Sequence, residues 1–277
     1  MTTPHITVLG SHGFIGSHLL QFLKQRGFSY WAPNRNDETI FTKPLNHVIY
    51  CIGLTADFRT RPLDTVEAHI CLLKRIIEKA NFESFTYLSS TRVYIGAENT
   101  REEQSLIVNP HDSSDLYNLS KLMGESLCLH CGHANMKIAR LSNIVGICSE
   151  PTNFLTQLLE EGYKNGSVVL QTSLDSAKDY LSIDDAVNLL TKIALSQTVG
   201  IFNVASGANT KTGEIAHFLA QQLGFQTTVI NNAPTWSFAT IDIQRIKREF
   251  QFHPQQLIDY FPDFLNAYHH QRSQCSI

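Results

Sequence analysis

Nowhere does the 277-residue chain string together the roughly 20 apolar residues that a membrane-spanning helix needs, so no span is expected. An excess of one charge is also missing: 22 Lys and Arg stand against 25 Asp and Glu, a net charge of −3. With a pI near 6.4, nothing marks nucleic acid or an anionic membrane as a partner. Short basic pieces such as Lys247-Arg248 read as a solvated helix face. The first residues, Met1-Thr-Thr-Pro-His5, lack a basic segment leading into an apolar one, so no secretion signal is expected. Cysteine is sparse: six residues, at 51, 71, 128, 131, 148 and 275. Several lie in apolar runs, the pattern of reduced thiols and a cytoplasmic location rather than of a disulfide framework. Internal repeats and low-complexity segments are absent. What is left is a globular composition, 43% hydrophobic and long enough to bury a sizeable core.

Strand and helix patterns alternate through that composition. Ile6 to Leu9 reads as a strand, and Ser17 to Arg26 as a helix whose inner face is Leu19, Leu20 and Leu23. Gly27 is placed to end that helix. Strands are expected at Phe28 to Ala32, His47 to Ile52, Phe85 to Leu88 and Lys137 to Leu141, with a long helix from Leu63 to Ala80. Helices of ten or more residues between short apolar strands mean βαβ units and a parallel sheet covered on both faces. After Gly146 the rhythm loosens. Helices are expected at Phe154 to Tyr163, Asp184 to Leu195 and Thr212 to Leu223, and strands at Val168 to Gln171, Ile201 to Val204 and Thr227 to Ile230. The fold class is therefore α/β: a Rossmann-type doubly wound parallel sheet with a smaller C-terminal α/β substrate-binding lid. Residues 1–146 and 179–205 are assigned to the dinucleotide-binding domain, 147–178 and 206–268 to the substrate domain, and 269–277 to a frayed polar tail.

Gly10-x-x-Gly13-x-x-Gly16 joins the first strand to the first helix, where a dinucleotide fingerprint must lie. Gly10 permits the tight turn, Gly13 lets backbone approach a pyrophosphate, and Gly16 lets helix and strand pack closely. The start of the helix, through Phe14, Ile15 and Gly16, offers unpaired N–H groups and a positive dipole end to the phosphates. His12 lies inside this loop, as a phosphate contact or as an exposed loop side chain. Cys51, Ile52 and Gly53, ending the third strand, are expected to face the same cofactor. About 20 residues past such a loop, an NAD enzyme places an acid on the ribose 2′-hydroxyl. Here the stretch reads Pro33-Asn34-Arg35-Asn36-Asp37. An arginine there can pair with a 2′-phosphate, so NADP is favoured over NAD through Asn34 and Arg35. The other reading makes Arg35 a surface loop residue and gives the ribose to Asp37.

Tyr117-x-x-x-Lys121 sets a phenol and an ammonium on one helix face. A nearby cation favours tyrosinate, drawing the phenol down from about 10 and making Tyr117 a proton donor for ketone reduction, or a base in reverse. Ser89-Ser90-Thr91 ends a parallel strand, where a hydroxyl points into the ligand crevice. Ser90 is the candidate to hold a substrate oxygen, unless the run is an ordinary polar strand end. Cys128, Cys131 and His133 are metal-ligand types without a second pair at zinc-finger spacing, and no metal is expected.

Together these segments resemble the extended short-chain dehydrogenase/reductase family, which contains nucleotide-sugar epimerases, dehydratases and reductases. Gly10 to Gly16 matches its cofactor loop, and Leu88-Ser-Ser-Thr-Arg-Val-Tyr94 resembles its strand with the catalytic Ser or Thr. Counting back from Val93 puts that role on Ser90, with Thr91 second. Tyr117 and Lys121 match the catalytic pair, and Asn143 in Arg140-Leu-Ser-Asn-Ile-Val-Gly146 matches an Asn lining the substrate crevice. Lys178-Asp179 to Asp185 is similar to a segment that crosses back to the main domain. The resemblance implies hydride transfer between nicotinamide and a carbon bearing oxygen. Tyr117 then moves the proton, Ser90 fixes the oxygen, and Lys121 holds the nicotinamide ribose. It also implies a homodimer through the helices near 63–80 and 116–131, where Leu72, Leu73, Ile76 and Ile77 serve either that interface or the sheet.

Three departures narrow the reaction. The family's 4,6-dehydratases follow their Thr with an acidic pair, whereas Ser90 precedes Thr91-Arg92. The stretch from Ala32 to His47 is too short for a helix plus a strand, as in some reductases of deoxysugar nucleotides. No arginine in Asn231 to Ile241 matches the one that clamps the sugar-nucleotide diphosphate, Lys178 replaces an Arg beside Asp179, and Arg245 stands two turns off. Arg59 and Arg61 follow the third strand, where they meet an anionic substrate or stay solvated. The expected activity is reduction of a keto group on a nucleotide-activated sugar by NADPH. Its alternatives are an NAD-dependent epimerase, or a cofactor-sensing regulatory or scaffold protein on the same fold.

Overall fold

A computed structural model describes residues 4–55, 57–147 and 153–275, with side chains to Arg272. Met1 to Thr3, Cys148 and the last two tail residues, singled out above, lie outside the described residues. In chain order the elements open with β1 (His5–Leu9), α1 (Phe14–Gln25), β2 (Ser29–Trp31), β3 (His47–Tyr50), α2 (Pro62–Val66) and α3 (Leu72–Lys79). Next come β4 (Ser84–Ser90), α4 (Asp115–His130), β5 (Met136–Leu141), β6 (Asn143–Val145), α5 (Phe154–Asn165) and β7 (Ser167–Leu170). The chain closes with β8 (Ala177–Ser182), α6 (Ile183–Leu195), β9 (Gly200–Val204), β10 (Asn209–Lys211), α7 (Thr212–Leu223), β11 (Gln226–Val229), α8 (Gln244–Phe250) and α9 (Leu257–Cys275). The tail expected to fray beyond His269 is helical through Cys275.

Six strands form one parallel sheet in the order β2-β1-β3-β4-β5-β9. Both faces are covered, which is why β1 and β3 read as nearly continuous apolar runs. Leu19 and Leu23 of α1 pack with α6 and α8 on one face, and Leu73, Ile76 and Ile77 of α3 pack with Cys128 of α4 on the other. The α3 residues left open between sheet and interface thus belong to the sheet. Between β2 and β3 the chain makes only a short 3-10 turn, Glu38–Phe41, so no further strand extends the sheet beyond β2. Strand order reverses between β1 and β3, and doubly wound sheets place their ligands outside the carboxyl ends of the strands at such a point.

The later elements form smaller sheets, β10-β8-β6 and β11-β7. A separate core joins Leu158 and Leu159 of α5, Tyr180 of β8, Leu219 of α7 and Phe261 of α9. Asp179 of β8 fastens this part to the end of β9: its carboxylate accepts from Ser206 N and Oγ, Gly207 N and Ala208 N.

One buried ion pair sets α4 against the sheet. Arg140 of β5 grips Glu125 of α4 through Nη2–Oε2 at 2.7 Å and Nε–Oε1 at 3.0 Å. Ser89 of β4 donates to the same carboxylate at 2.5 Å, and Arg140 Nη1 donates to Tyr94 Oη at 2.7 Å. Tyr94 in turn donates to Asn203 of β9. Beside it, a Cβ at Gly124 would lie 2.5 Å from the Tyr87 hydroxyl, so α4 lies as close to β4 as a glycine allows. Arg140→Met should cost about 3–5 kcal/mol, because it strands a buried carboxylate. Urea denaturation reads this directly, and a loss below ~1 kcal/mol would show that α4 is held by its apolar contacts instead.

Candidate functional site

The register set by the Arg140–Glu125 pair brings the middle of α4 over the carboxyl end of β4. Tyr117 and Lys121, one turn apart, are both buried there. The Ser90 hydroxyl, at the end of β4, is a near neighbour of the Tyr117 phenol and acts to lower its pKa. Lys121 Nζ donates to Leu88 O at 2.8 Å and lies 5.8 Å from the centre of the Tyr117 ring. Burial raises the Tyr117 phenol above its usual range, while the Ser90 hydroxyl and the Arg92 charge oppose it. The expected lowering of Tyr117 by Lys121 is therefore corrected. The ammonium is bonded to a carbonyl and is itself disfavoured by burial, its pKa brought down to about 7. A buried, neutral phenol is a proton donor.

The glycine loop abuts this group. Gly10 adopts φ +85°, and a Cβ on Gly16 would overlap the Gly10 carbonyl, so α1 starts hard against the loop. The first turn of α1 has no side-chain cap and no acid, leaving its N–H groups free for an anion. Cys51 N donates to Leu9 O, which holds the Cys51-Ile52-Gly53 loop beside Gly10. A Cβ on Gly53 would stand 3.4 Å from Lys121 Nζ. The two loops and Lys121 are thus close neighbours and could together hold a dinucleotide. His12 is exposed, its Nδ1 3.4 Å from Ser11 Oγ. Asn34 and Arg35 are exposed at the end of β2. Asp37, the rival for the ribose, is committed to Thr39, accepting from its N and Oγ1.

On the crevice's other side, Thr91 opens the 3-10 turn after Ser90. Asn143 Nδ2 donates to Asp179 O at 2.8 Å, joining β6 to β8 next to Lys178. Arg59 is exposed, lies over the Phe58 ring and donates to Ser114 Oγ. Arg61 pairs with Asp64. Arg245, weighed as a substitute clamp, is spent at the far sheet edge on Glu249 and the carbonyls of Ile201 and Val199. Cys131 bonds Cys128 O, and His133 stacks on Phe82.

Two residues escaped the sequence reading. His69 sits in a single π-turn, Glu67–Cys71, between α2 and α3. Its Nε2 accepts from Leu54 N, so Nδ1 carries the proton and donates to Ser120 Oγ, which donates to Tyr117 O. The imidazole stays neutral, its pKa pushed to about 2 by burial and then by Lys121. It therefore ties the Cys51–Gly53 loop to the Tyr117 turn. Its one sequence signal is a polar residue on the apolar stripe of Leu73 and Ile76. The other is Arg92, noted above only as a missing acid, whose guanidinium lies over Phe58 next to Tyr117.

The family model of the NAD dependent epimerase/dehydratase family matches residues 6–205. No curated protein matches the chain by sequence. Among solved structures, UDP-glucuronic acid 4-epimerase from Bacillus cereus, in complex with UDP-glucuronic acid and NAD, aligns at TM-score 0.80 and 17% identity over 96% of this chain and 99% of that one. The dTDP-glucose 4,6-dehydratase of Bacillus anthracis str. Ames, with NAD, gives 0.77 and 15% over 98% of each chain. RMD from Pseudomonas aeruginosa, complexed with NADPH, gives 0.72 and 20% over 91% and 94%. At these identities the likeness is one of fold. Among the described residues, no helix is long and apolar enough to cross a membrane.

The buried ammonium has a measurable consequence. The folded pKa of Lys121, about 7, lies below the usual 10.5, so the unfolded chain binds more protons between those values. Stability should rise with pH across that window, and below pH 7 the full cost of burying the charge remains. In the cofactor-free protein, Lys121→Met should gain about 1–3 kcal/mol at pH 7 and flatten the rise towards pH 10. Thermal denaturation at both pH values tests this. A Met variant less stable at pH 7 would mean that the bond to Leu88 O outweighs desolvation.

Proposed function

The chain belongs to the NAD-dependent epimerase/dehydratase family of extended short-chain dehydrogenases/reductases, and from that premise we propose that it is a ketoreductase acting on a nucleotide-activated sugar with NADPH. The observation that carries the reading is the meeting of Ser90, Tyr117 and Lys121 at the carboxyl end of β4, against the glycine loop. In this reading, residues 1–146 and 179–205 bind cofactor, while 147–178 and 206–268 close over the sugar.

When bound, the nicotinamide cofactor supplies the hydride that reduces the keto carbon. Gly10, Gly13 and the first turn of α1, from Phe14 and Ile15 to Gly16, bind its pyrophosphate, with His12 at the rim. Cys51, Ile52 and Gly53 flank the ring end, and Lys121 holds the ribose next to it. Ser90 Oγ donates to the keto oxygen and aligns it with the phenol. Tyr117 then gives its proton as the oxygen gains charge, which burial favours because it keeps the phenol protonated at neutral pH. Thr91, Asn143, Arg59 and Lys178 line the sugar side. Dehydration lacks its acid, because the turn after Ser90 carries Thr91-Arg92.

The preference for NADPH is supported by Arg35, exposed at the end of β2, and by Asp37 being occupied with Thr39. Exposed Met123 and Leu129 on α4 and Leu63 on α2 suit a homodimer through these helices.

Tyr117→Phe should cut turnover by about 100-fold or more, with cofactor affinity unchanged in calorimetry. A Phe variant of normal activity would remove the phenol from the mechanism. Arg35→Ala should weaken NADPH by about 10-fold while sparing NADH. Equal losses for both would deny a contact with the 2′-phosphate. NAD(H) retained through purification would mark an epimerase, which returns its hydride and need not release its cofactor.

A further inference from the structure

Three cations gather near Tyr117, and none forms an ion pair with a described acid. Arg92 lies two residues past Ser90 in a tight 3-10 turn, its own backbone N–H donating to Ser90 Oγ at 3.2 Å. Its guanidinium stands 5.8 Å from the centre of the Phe58 ring, which is 5.2 Å from that of Tyr117. One aromatic ring therefore separates this charge from the phenol. Arg59 covers the same Phe58 ring at 4.4 Å. Lys178 reaches in from β8, its ammonium 5.7 Å from the ring of Phe154 and 5.9 Å from that of Phe238.

Other interior or semi-buried cations of this protein have acidic or carbonyl partners. Arg140 has Glu125, Arg245 has Glu249, and Lys121 and Lys137 have carbonyls. Neither the Arg92 side chain nor the Lys178 ammonium forms a hydrogen bond or ion pair with any described residue, and Arg92 Nε is buried without a partner. The charges also oppose one another. After burial, Arg59 is the chief influence lowering Arg92, and Arg92 does the same to Lys178. Asp112 and Asp115 act on Arg92 through space but are engaged elsewhere. Asp112 accepts from Ser114 N, and Asp115 from Asn109 N and Asn118 Nδ2. Half-buried like charges with unused donors are costly unless an anion completes them.

We propose that Arg92, flanked by Lys178 and Arg59, seats a carboxylate carried on the reacting sugar ring, so that the substrate is an acid sugar of the uronate type. The proposal rests on the nucleotide-sugar reading above. A guanidinium matches a carboxylate with two parallel N–H···O bonds, and Lys178 supplies a second positive charge. Ser90 and Arg92 share one tight turn, so a group held by Arg92 lies on a ring position near the oxygen held by Ser90. That nearness favours the sugar's own carboxylate over the diphosphate. The same charge explains why the turn is unsuited to elimination: a cation stands where a dehydratase needs an acid.

The test compares two ligands that differ only at this group, UDP-glucuronic acid and UDP-glucose, titrated calorimetrically into cofactor-saturated protein. The wild type should favour the acid by about 10-fold or more, and Arg92→Gln should erase that preference while leaving UDP-glucose and cofactor binding unchanged. If Arg92→Gln does not fold, Arg92→Lys, which keeps the charge but loses the paired N–H bonds, should still cut the preference for the acid. Equal weakening of both ligands would place the cations on the diphosphate, and no preference in the wild type would also overturn the proposal. Should neither ligand bind while cofactor does, the nucleotide-sugar reading is what fails. The carboxylate seat is then read from free glucuronate against glucose by saturation-transfer NMR. A glucuronate signal lost in Arg92→Gln upholds it, and no such signal overturns it.

Discussion

The ion pair between Arg140 and Glu125 has no contact with the proposed chemistry, yet the site is arranged around it. Both side chains are buried, so neither can trade its partner for water. The guanidinium fills its donors with Glu125, Tyr94 and the Glu102 carbonyl, which fixes β5, α4 and the turn after β4 in one geometry. Ser89 and Ser90 then divide the work by the alternation of a strand. Ser89 points to Glu125 under α4, and Ser90 points into the crevice towards Tyr117. Glu125 lies one turn beyond Lys121, and Lys121 one turn beyond Tyr117, so anchoring one of the three sets the height of the others.

The second constraint is the shortened connection between β2 and β3. With only a 3-10 turn there, the sheet stops at β2, so a single strand lies outside β1, beside which the order reverses. The crevice opens where the glycine loop and the Cys51–Gly53 loop meet. His69 closes the circuit, bonding the second loop on one side and, through Ser120, the Tyr117 turn on the other. The loops and α4 are thus connected by protein groups alone.

Much of this was legible in the sequence because it depends on local pattern. The Gly10–Gly16 loop needs a strand before it and a helix after it, and both are visible as Ile6–Leu9 and the Leu19–Leu23 stripe. The Tyr117–Lys121 spacing is helical, and the missing strand after β2 is a matter of counting residues. What escaped depends on packing between segments distant in sequence. His69 looks like one more position of an amphipathic helix until the π-turn aims it at Leu54. Arg92 looks like a lost acid until Phe58, Arg59 and Lys178, from two other segments, surround it. The inferred effect of Lys121 on Tyr117 failed for the same reason: spacing gives proximity along the helix but not the Leu88 carbonyl that holds the ammonium.

Stability and function pull apart at this site. Lys121 is a buried ammonium whose charged form the fold disfavours, and Arg92 and Lys178 repel each other in half-buried positions. A packed apolar side chain at any of these places would serve the fold better. Where the fold needs charge for itself, as at Arg140 or Asp179, it surrounds it with partners until the hydrogen-bonding groups are satisfied. The contrast sorts the charges of this molecule into two kinds. Among the described residues, the satisfied ones hold elements in place, whereas Arg92 and Lys178 lack such partners and stand beside the proposed site. Residue type alone does not draw that line, since Arg140 and Arg92 are the same residue. It is drawn by whether the surrounding strands and helices bring an acid to the guanidinium or leave its face open.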